Sequence, residues 1–455
     1  MNDLPDALQP TLPRSWPPGA PAAFHLLAKP AGAACNLACK YCFYLPKSAL
    51  YPGMDPRMSD EVLELYIRQL IESHRSPTVT VAWQGGEPTL MGLDFYRRAI
   101  ALQDKYRRPG MTFENTLQTN GTLLDGEWCA FFKEHGFLIG LSLDGPRRLH
   151  DFYRVDKAGQ PTFDRVMRGL RLLQKHGVEY NILVTVNRVT GDHPLEVYRF
   201  LRDEAGAHWI QLIPVVERLN PDGRTLFQAG DRVSARSVQP VQFGRFLIQV
   251  FDEWVHNDVG RVYVQTFEAA LRNWMGLPSG MCVSDPTCGY GLALEHNGDL
   301  YACDHFVEPD YLRGNIRQVH LIELVAGEQQ ARFGRAKRDA LPRFCLECPV
   351  RFACHGECPK NRFDRTPDGQ PGLSYLCAGY GAFFRHADGA MRVMAALLRS
   401  GRPASDAMPA LAPGKEELAN AYRQARPGRP CPCGSGLTYG ECHGWKRSTH
   451  AHHQR

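Results

Sequence analysis

From residue 24 onward two hydrophobic patterns alternate along the chain. Short β-prone runs at 24–28, 79–84, 113–118, 138–143, 181–186 and 209–214 read as strands. Between them, apolar residues recur at helical spacing over 60–73, 94–106, 127–135, 163–176 and 194–204. In the first of these helices Val62, Leu63, Tyr66, Ile67 and Leu70 form the apolar face. Ser59 is its start signal, and Asp60 and Glu61 suit its first turn. Repeated strand–helix units imply a parallel sheet, and six of them fit an incomplete (β/α) barrel. Beyond it, 218–240 reads as a polar surface loop, and 241–256 and 266–275 as helices that bridge to a second region. In that region Asn297-Gly298 is a type I′ turn signal for a hairpin.

In parallel barrels chemistry sits at the carboxyl ends of the strands. Each conspicuous motif here comes just after a strand-like run. After 24–28 comes Cys35-Asn-Leu-Ala-Cys39-Lys-Tyr-Cys42-Phe-Tyr44. Three thiolates on one short loop can hold an iron–sulfur cluster; a zinc knuckle or a few buried thiols are the alternatives. Three ligands on a four-iron cluster leave one iron open to a small molecule. After 79–84 stands Gln84-Gly85-Gly86-Glu87-Pro88, where two glycines let backbone pass close to a ligand or make a plain tight turn. Gln118-Thr119-Asn120-Gly121 ends the third run, with Thr119 and Asn120 placed to offer polar groups to the barrel mouth. The fourth ends at Ser142 and leads to Asp144-Gly145-Pro146 and Arg154. A hydroxyl and a guanidinium fork suit a ribose and a carboxylate; a loop with a surface salt bridge is the plainer account.

Composition adds limits. A chain of 455 residues can hold two or more domains, and 44% apolar residues is ordinary for a globular protein. A net charge of +5 is slight at this size and argues neither for nor against nucleic acid, although no nucleic-acid partner is expected. No apolar run is long enough to span a membrane. Residues 1–21 carry six prolines and an early Asp3 without an apolar core, so they are not a secretory signal, and a cytoplasmic location is expected. In that compartment fifteen cysteines read as metal or cluster ligands rather than disulfides. Cys129, in an apolar helix, reads as a lone buried thiol. Cys282, Cys288, Cys303, Cys345, Cys348, Cys354, Cys358 and Cys377 make two four-thiolate sites, for zinc or for iron–sulfur clusters, and spacing does not divide them. At the end, Cys431, Cys433, Cys442 and His443 are a complete tetrahedral zinc set. His450, His452 and His453 read as a solvated end.

These motifs resemble the radical S-adenosylmethionine (SAM) enzymes. Over residues 24 to 390 they resemble the anaerobic sulfatase-maturating enzymes with a SPASM extension. The resemblance implies a partial (β/α)6 barrel of the TIM type, then a cysteine-rich SPASM domain. It implies that Cys35, Cys39 and Cys42 hold a 4Fe–4S cluster whose open iron chelates SAM. Tyr41, Gly86, Ser142, Arg154 and Val216 stand at SAM-contact positions. Cys282, Cys288, Cys303 and Cys358 would hold one auxiliary 4Fe–4S cluster. Cys345, Cys348, Cys354 and Cys377 would hold the other, making three. Asp304 matches the family's proposed base, with a role in orienting its loop as the alternative. The implied activity is oxidation of a Cys or Ser of a sulfatase to Cα-formylglycine. The substrate would be an unfolded sulfatase chain and the electron donor a flavodoxin or ferredoxin. The terminal set resembles the SEC-C motif, which implies Zn2+ and a protein partner, or a structural cap.

The expected boundaries are a disordered 1–22, the barrel over 23–240, and bridging helices with the SPASM domain over 241–395. A linker with one short helix at 415–425 spans 396–428, then come the zinc motif at 429–446 and a tail at 447–455. Two competitors remain. One is a SPASM peptide maturase that forms thioether or carbon–carbon crosslinks; residues 1–23 are too short for the peptide-binding domain those relatives often carry. The other is a zinc-rich binding module without catalysis.

Overall fold

The computed structural model describes residues 10–220 and 229–445. The expectations for 1–9, for the middle of the 218–240 loop and for His450, His452 and His453 lie outside them. The barrel runs β1 (His25–Lys29), α1 (Asp60–Glu72), β2 (Thr78–Trp83), α2 (Leu93–Tyr106), β3 (Thr112–Thr119), α3 (Gly126–Glu134) and β4 (Leu138–Ser142). It continues with α4 (Arg147–Tyr153), α5 (Phe163–His176), β5 (Tyr180–Val186), α6 (Pro194–Arg199) and β6 (Trp209–Pro214). Strands β1 to β6 are neighbours in that order and all parallel. Ser59 caps α1, its hydroxyl accepting from the Val62 amide at 3.3 Å. The short α4 was not expected, because its seven residues hold a single apolar set at turn-to-turn spacing, Leu149 with Phe152 and Tyr153; Pro146 sets its start.

The sheet does not stop at six strands. Tyr263–Val264 adds parallel to β6, and Gly291–Glu295 adds parallel to β1 over five residue pairs. Asp299–Tyr301 and Leu312–Asn315 then extend that edge antiparallel. Leu292, Leu294, Leu300 and Ile316 share one core with Leu26, Leu63 and Ile67 of the barrel. Barrel and auxiliary region are therefore one continuous sheet, and the residues just after Tyr301 are delivered next to β1.

The expected hairpin forms, but not by a type I′ turn. Its loop has three residues: the Gly298 amide donates to the Glu295 carbonyl at 2.9 Å, and Gly298 takes φ +93°. Asn297 does not take the positive φ that a type I′ turn requires of both central residues. Two bridging helices match the expectation, Pro240–Asn257 and Gln265–Trp274. A long helix, Cys377–Arg399, packs on the first. Gly244 and Gly379 let them touch: a Cβ on Gly244 meets the Gly379 Cα at 2.7 Å. The segment read as a linker with one short helix holds a longer helix, Ala407–Gln424. Cys129 is fully buried, as expected.

Candidate active site and metal centres

Cys35, Cys39 and Cys42 lie on the loop after β1, held on both sides by backbone. The Gly86 and Glu87 amides donate to the Gly32 and Ala34 carbonyls, both at 2.8 Å. From the other side, the Ala38 and Lys40 amides donate to the carbonyls of Val155 and Tyr153, both at 2.9 Å. A Cβ on Gly86 meets the Ala34 carbonyl oxygen at 2.0 Å, so the glycine is required by the cysteine loop itself. Burial pushes the Cys35 thiol up to about 11 and the Cys39 thiol to about 12. Bare, these thiols keep their protons at neutral pH, and a cluster must displace them.

Glu87 ties three strand ends together. Its buried carboxylate accepts from Thr89, from the Thr119 hydroxyl at 2.7 Å and from the Asn120 amide at 2.8 Å. Asn120 in turn donates to Asn36 at 2.9 Å and approaches the Cys35 sulfur at 3.8 Å. Thr119 and Asn120 therefore brace the cysteine loop.

Arg154 is buried, not part of a surface salt bridge. Its Nε donates to Asp144 Oδ2 at 3.1 Å, and its guanidinium lies 5.7 Å from the centre of the Tyr41 ring. The Tyr41 hydroxyl donates to the same Asp144 oxygen, and the Thr185 amide to the other at 2.9 Å. His150 supports this set. Its Nδ1 accepts from the Asp144 amide at 3.3 Å, so the proton is on Nε2, facing the Thr162 hydroxyl at 3.1 Å. Burial pushes His150 down to about 3, which keeps it neutral. Ser142 accepts from Gln118 at 3.0 Å, and Val216 is buried. The roles of Asp144 and Glu87 gave no sequence signal, because Tyr41 and Thr185, and Thr119 and Asn120, reach them from other units. His150 pairs within its own unit, with Asp144 and Thr162, at no recognisable spacing.

Asp304 forms an ion pair with Lys29, the last residue of β1, which is 1% exposed. Burial works to raise the Asp304 carboxyl, but Lys29 beside it, together with His305 and Lys360, outweighs this and holds it below its ordinary value. Lys29 also reaches Gln84 Oε1 at 3.4 Å and lies 4.6 Å from the centre of the Tyr44 ring. In the sequence Lys29 is only one polar residue at a strand end.

None of the fifteen cysteines is joined to another in a disulfide. Where one thiol of the auxiliary region acts electrostatically on another, the two belong to one of two sets. Cys282 acts on Cys288, Cys303 and Cys358, and Cys358 on Cys303. Cys345 acts on Cys354 and Cys377, and Cys348 on Cys345 and Cys377. Arg362 stands near members of both sets. It donates to the carbonyls of His355 and Glu357 at 2.9 and 3.0 Å, and to those of Gly356 and Lys337. His355, Gly356 and Glu357 are all left-handed, at φ 47°, 74° and 60°. This tight loop separates Cys354 of one set from Cys358 of the other.

At the C-terminus the ligand atoms of Cys431, Cys433, Cys442 and His443 lie within 4.8 Å of one another. The Cys433 and Cys442 sulfurs are 3.7 Å apart, far beyond a disulfide. The edge of a tetrahedron with Zn–S bonds of ordinary length is about 3.8 Å. The donor set thus fits zinc.

Residues 30–201 match the Radical SAM superfamily, 287–349 the SPASM iron–sulfur cluster-binding domain, and 430–444 the SEC-C motif. A serine-type anaerobic sulfatase-maturating enzyme of Bacteroides thetaiotaomicron is 46% identical over 402 residues, covering 87% of this chain and 96% of the relative. A cysteine-type anaerobic sulfatase-maturating enzyme of Clostridium perfringens is 32% identical over 368 residues, covering 80% and 95%. The solved structure of native anSMEcpe with bound AdoMet and Kp18Cys peptide aligns with a TM-score of 0.73 at 32% identity, covering 82% of this chain and 98% of that one. No helix among the described residues is long and apolar enough to cross a membrane. With its barrel, its auxiliary cysteines and its near-complete overlap with these relatives, the chain belongs to the radical SAM family and, within it, to the anaerobic sulfatase-maturating enzymes.

Proposed function

We propose that this chain converts a serine or cysteine of an unfolded sulfatase to Cα-formylglycine, and that serine is the better substrate. The observation that carries the reading is the continuous sheet. It sets Asp304, beside Cys303, against the last residue of β1, where the cysteine loop begins. Higher identity to the serine-type relative than to the cysteine-type one supports the preference.

Cys35, Cys39 and Cys42 would hold a four-iron cluster that, with SAM bound and an electron supplied by a flavodoxin or ferredoxin, furnishes a 5′-deoxyadenosyl radical to take hydrogen from the substrate Cβ. The Arg154 fork, fixed through Nε by Asp144, is set to receive a SAM carboxylate. Tyr41 and Val216 wall the cradle, Ser142 offers its hydroxyl, and Gly86 lets the loops close. Asp304 takes the proton from the substrate hydroxyl or thiol. Cys282, Cys288, Cys303 and Cys358, and Cys345, Cys348, Cys354 and Cys377, would hold two further four-iron clusters that accept the second electron. Cys431, Cys433, Cys442 and His443 would hold zinc. The barrel is read over 23–240, the auxiliary region over 241–395 and the zinc motif over 429–446, in a cytoplasmic protein.

The test is to incubate the reconstituted chain, SAM and reductant with sulfatase peptides carrying Ser or Cys. Formation of 5′-deoxyadenosine and of the aldehyde supports the reading, and absence of both removes it. Asp304→Asn sharpens it: SAM cleavage is kept while aldehyde falls about 100-fold or more, the scale of a lost general base. The crosslinking alternative requires a product with an internal bond and no aldehyde.

A further inference from the structure

The terminal metal motif is fixed to the body of the protein through the metal ligands themselves. His443 Nδ1 lies 3.3 and 3.2 Å from the sulfurs of Cys431 and Cys442, so Nδ1 faces the metal position. Its other nitrogen, Nε2, donates to Asp252 Oδ2 at 2.9 Å. Asp252 is on the bridging helix Pro240–Asn257, outside the motif. A carboxylate that accepts from the far nitrogen of a ligating imidazole fixes its tautomer and its orientation.

The second Asp252 oxygen accepts from His386 Nε2 at 2.5 Å, and His386 Nδ1 is 3.2 Å from the Cys433 carbonyl. Both ring nitrogens of His386 face oxygen acceptors, so both carry protons. His386 belongs to the helix Cys377–Arg399. Further anchors come from the same two helices. Arg385 Nε donates to the Ser435 carbonyl at 3.2 Å, and the Arg245 guanidinium lies 4.1 Å from the centre of the Trp445 ring. Nearer their starts these helices touch through Gly244 and Gly379, the latter two residues past Cys377. An arm built to dock on another protein needs no such partners from its own body.

We propose that the zinc motif is an internal staple on the helix pair that starts beside the auxiliary cysteine Cys377, and that Asp252 is the positioning residue that holds ligand His443 to it. This rests on the reading of the terminal motif as a zinc site. The staple makes metal occupancy and the packing of the two helices one event. Removing zinc frees His443, leaves Asp252 with only His386, and loosens the helix that begins at Cys377.

The experiment uses the full chain, reconstituted anaerobically, with iron absorbance monitored throughout. Zinc per chain is counted first. A wild type that holds no zinc overturns the zinc reading before any variant is compared. Zinc affinity is then measured by competition with a colour-forming chelator in wild type and Asp252→Asn. The expected result is one zinc in both, bound about 10–100-fold more weakly in the variant. Equal affinity overturns the role of Asp252. Hydrogen exchange of the unmutated protein, with zinc and after its removal, tests the staple without a substitution. Faster exchange across 240–257 and 377–399 supports it. A change confined to 430–445, with zinc bound at the start, overturns it while leaving the zinc reading intact.

Discussion

Lys29 closes β1 by pairing its ammonium with the carboxylate of Asp304, a residue that follows a strand two places along the same sheet. The pair has a cost for a base, since it lowers the affinity of Asp304 for a proton. It also keeps the carboxylate ionised at every physiological pH. With Asp304 as the proposed base, a substrate proton would transfer only once hydrogen loss from Cβ has made the hydroxyl more acidic, and a resting substrate would stay protonated. Lys29→Met removes the largest charge that opposes burial, so the carboxyl rises. The acid limb of the pH profile for aldehyde formation is expected to move up by about 1–3 pH units. The variant therefore loses more at pH 6 than at pH 8. An unmoved limb, measured at saturating peptide, counts against Asp304 as the base.

Arg362 spans the two auxiliary thiol sets by binding the three carbonyls of the left-handed loop 355–357 and that of Lys337. Left-handed backbone at the non-glycine residues His355 and Glu357 costs about 1–3 kcal/mol at each position and persists only when the surroundings hold it. Arg362→Met removes the charged donors and leaves those carbonyls to relax. The expected outcome is a chain that assembles the barrel cluster but loses iron from the auxiliary sets, falling from about twelve irons toward about four. Iron and sulfide analysis reads this directly. A full complement of iron in the variant shows that the loop holds its shape without the clamp.

His150 supplies a pH signature. It is buried and neutral, pushed down to about 3, against an ordinary value near 6.5. Between those values the unfolded chain binds a proton that the folded chain does not, so stability falls as pH falls. The stabilising share is complete above about pH 6.5, and from pH 7 to pH 5 about 2 kcal/mol of it is lost. In a chain of this size that corresponds to about 2–4 °C of melting temperature. His150→Asn keeps an acceptor near Nδ1 and removes the titration. The wild type is expected to lose that much more than the variant over the same pH step. Parallel melting curves at pH 5 and pH 7 for both proteins decide it, and equal slopes sink the assignment.

The features legible in the sequence were local ones. Strands β1 to β6 and most helices come from period and punctuation. The cysteines of each loop come from spacing within a few residues. The features that stayed hidden depend on partners far along the chain. Lys29 and Asp304 meet only because Gly291–Glu295 joins β1. Asp252 and His443 meet only because the terminal motif folds back on the bridging helix. Arg154 read equally well as a surface residue until Asp144 and Tyr41 enclosed it. The Asn297-Gly298 turn failed for a related reason. The dipeptide is a propensity, and the register imposed by β1 and the neighbouring strands selected a three-residue loop in its place.

Gly86 separates two accounts of a glycine at a ligand site. If it serves only to let SAM approach, Gly86→Ala weakens SAM binding and leaves the iron untouched. The geometry argues otherwise. The added methyl meets the Ala34 carbonyl oxygen at 2.0 Å and the Ala33 carbonyl carbon at 2.8 Å, and both atoms are backbone, which cannot rotate away. The residue after Ala34 is Cys35, so the displacement passes straight into the first thiol. The Gly86 and Glu87 amides that pin the loop at 2.8 Å are displaced with it. Gly86→Ala is therefore expected to lose about four of about twelve irons, those of the barrel cluster, and with them all cleavage of SAM. The auxiliary thiols are unaffected, so the remaining iron is retained. Iron counting together with the electron paramagnetic resonance signal of the reduced protein distinguishes the two. A variant with full iron and only weakened SAM affinity assigns the glycine to the ligand alone.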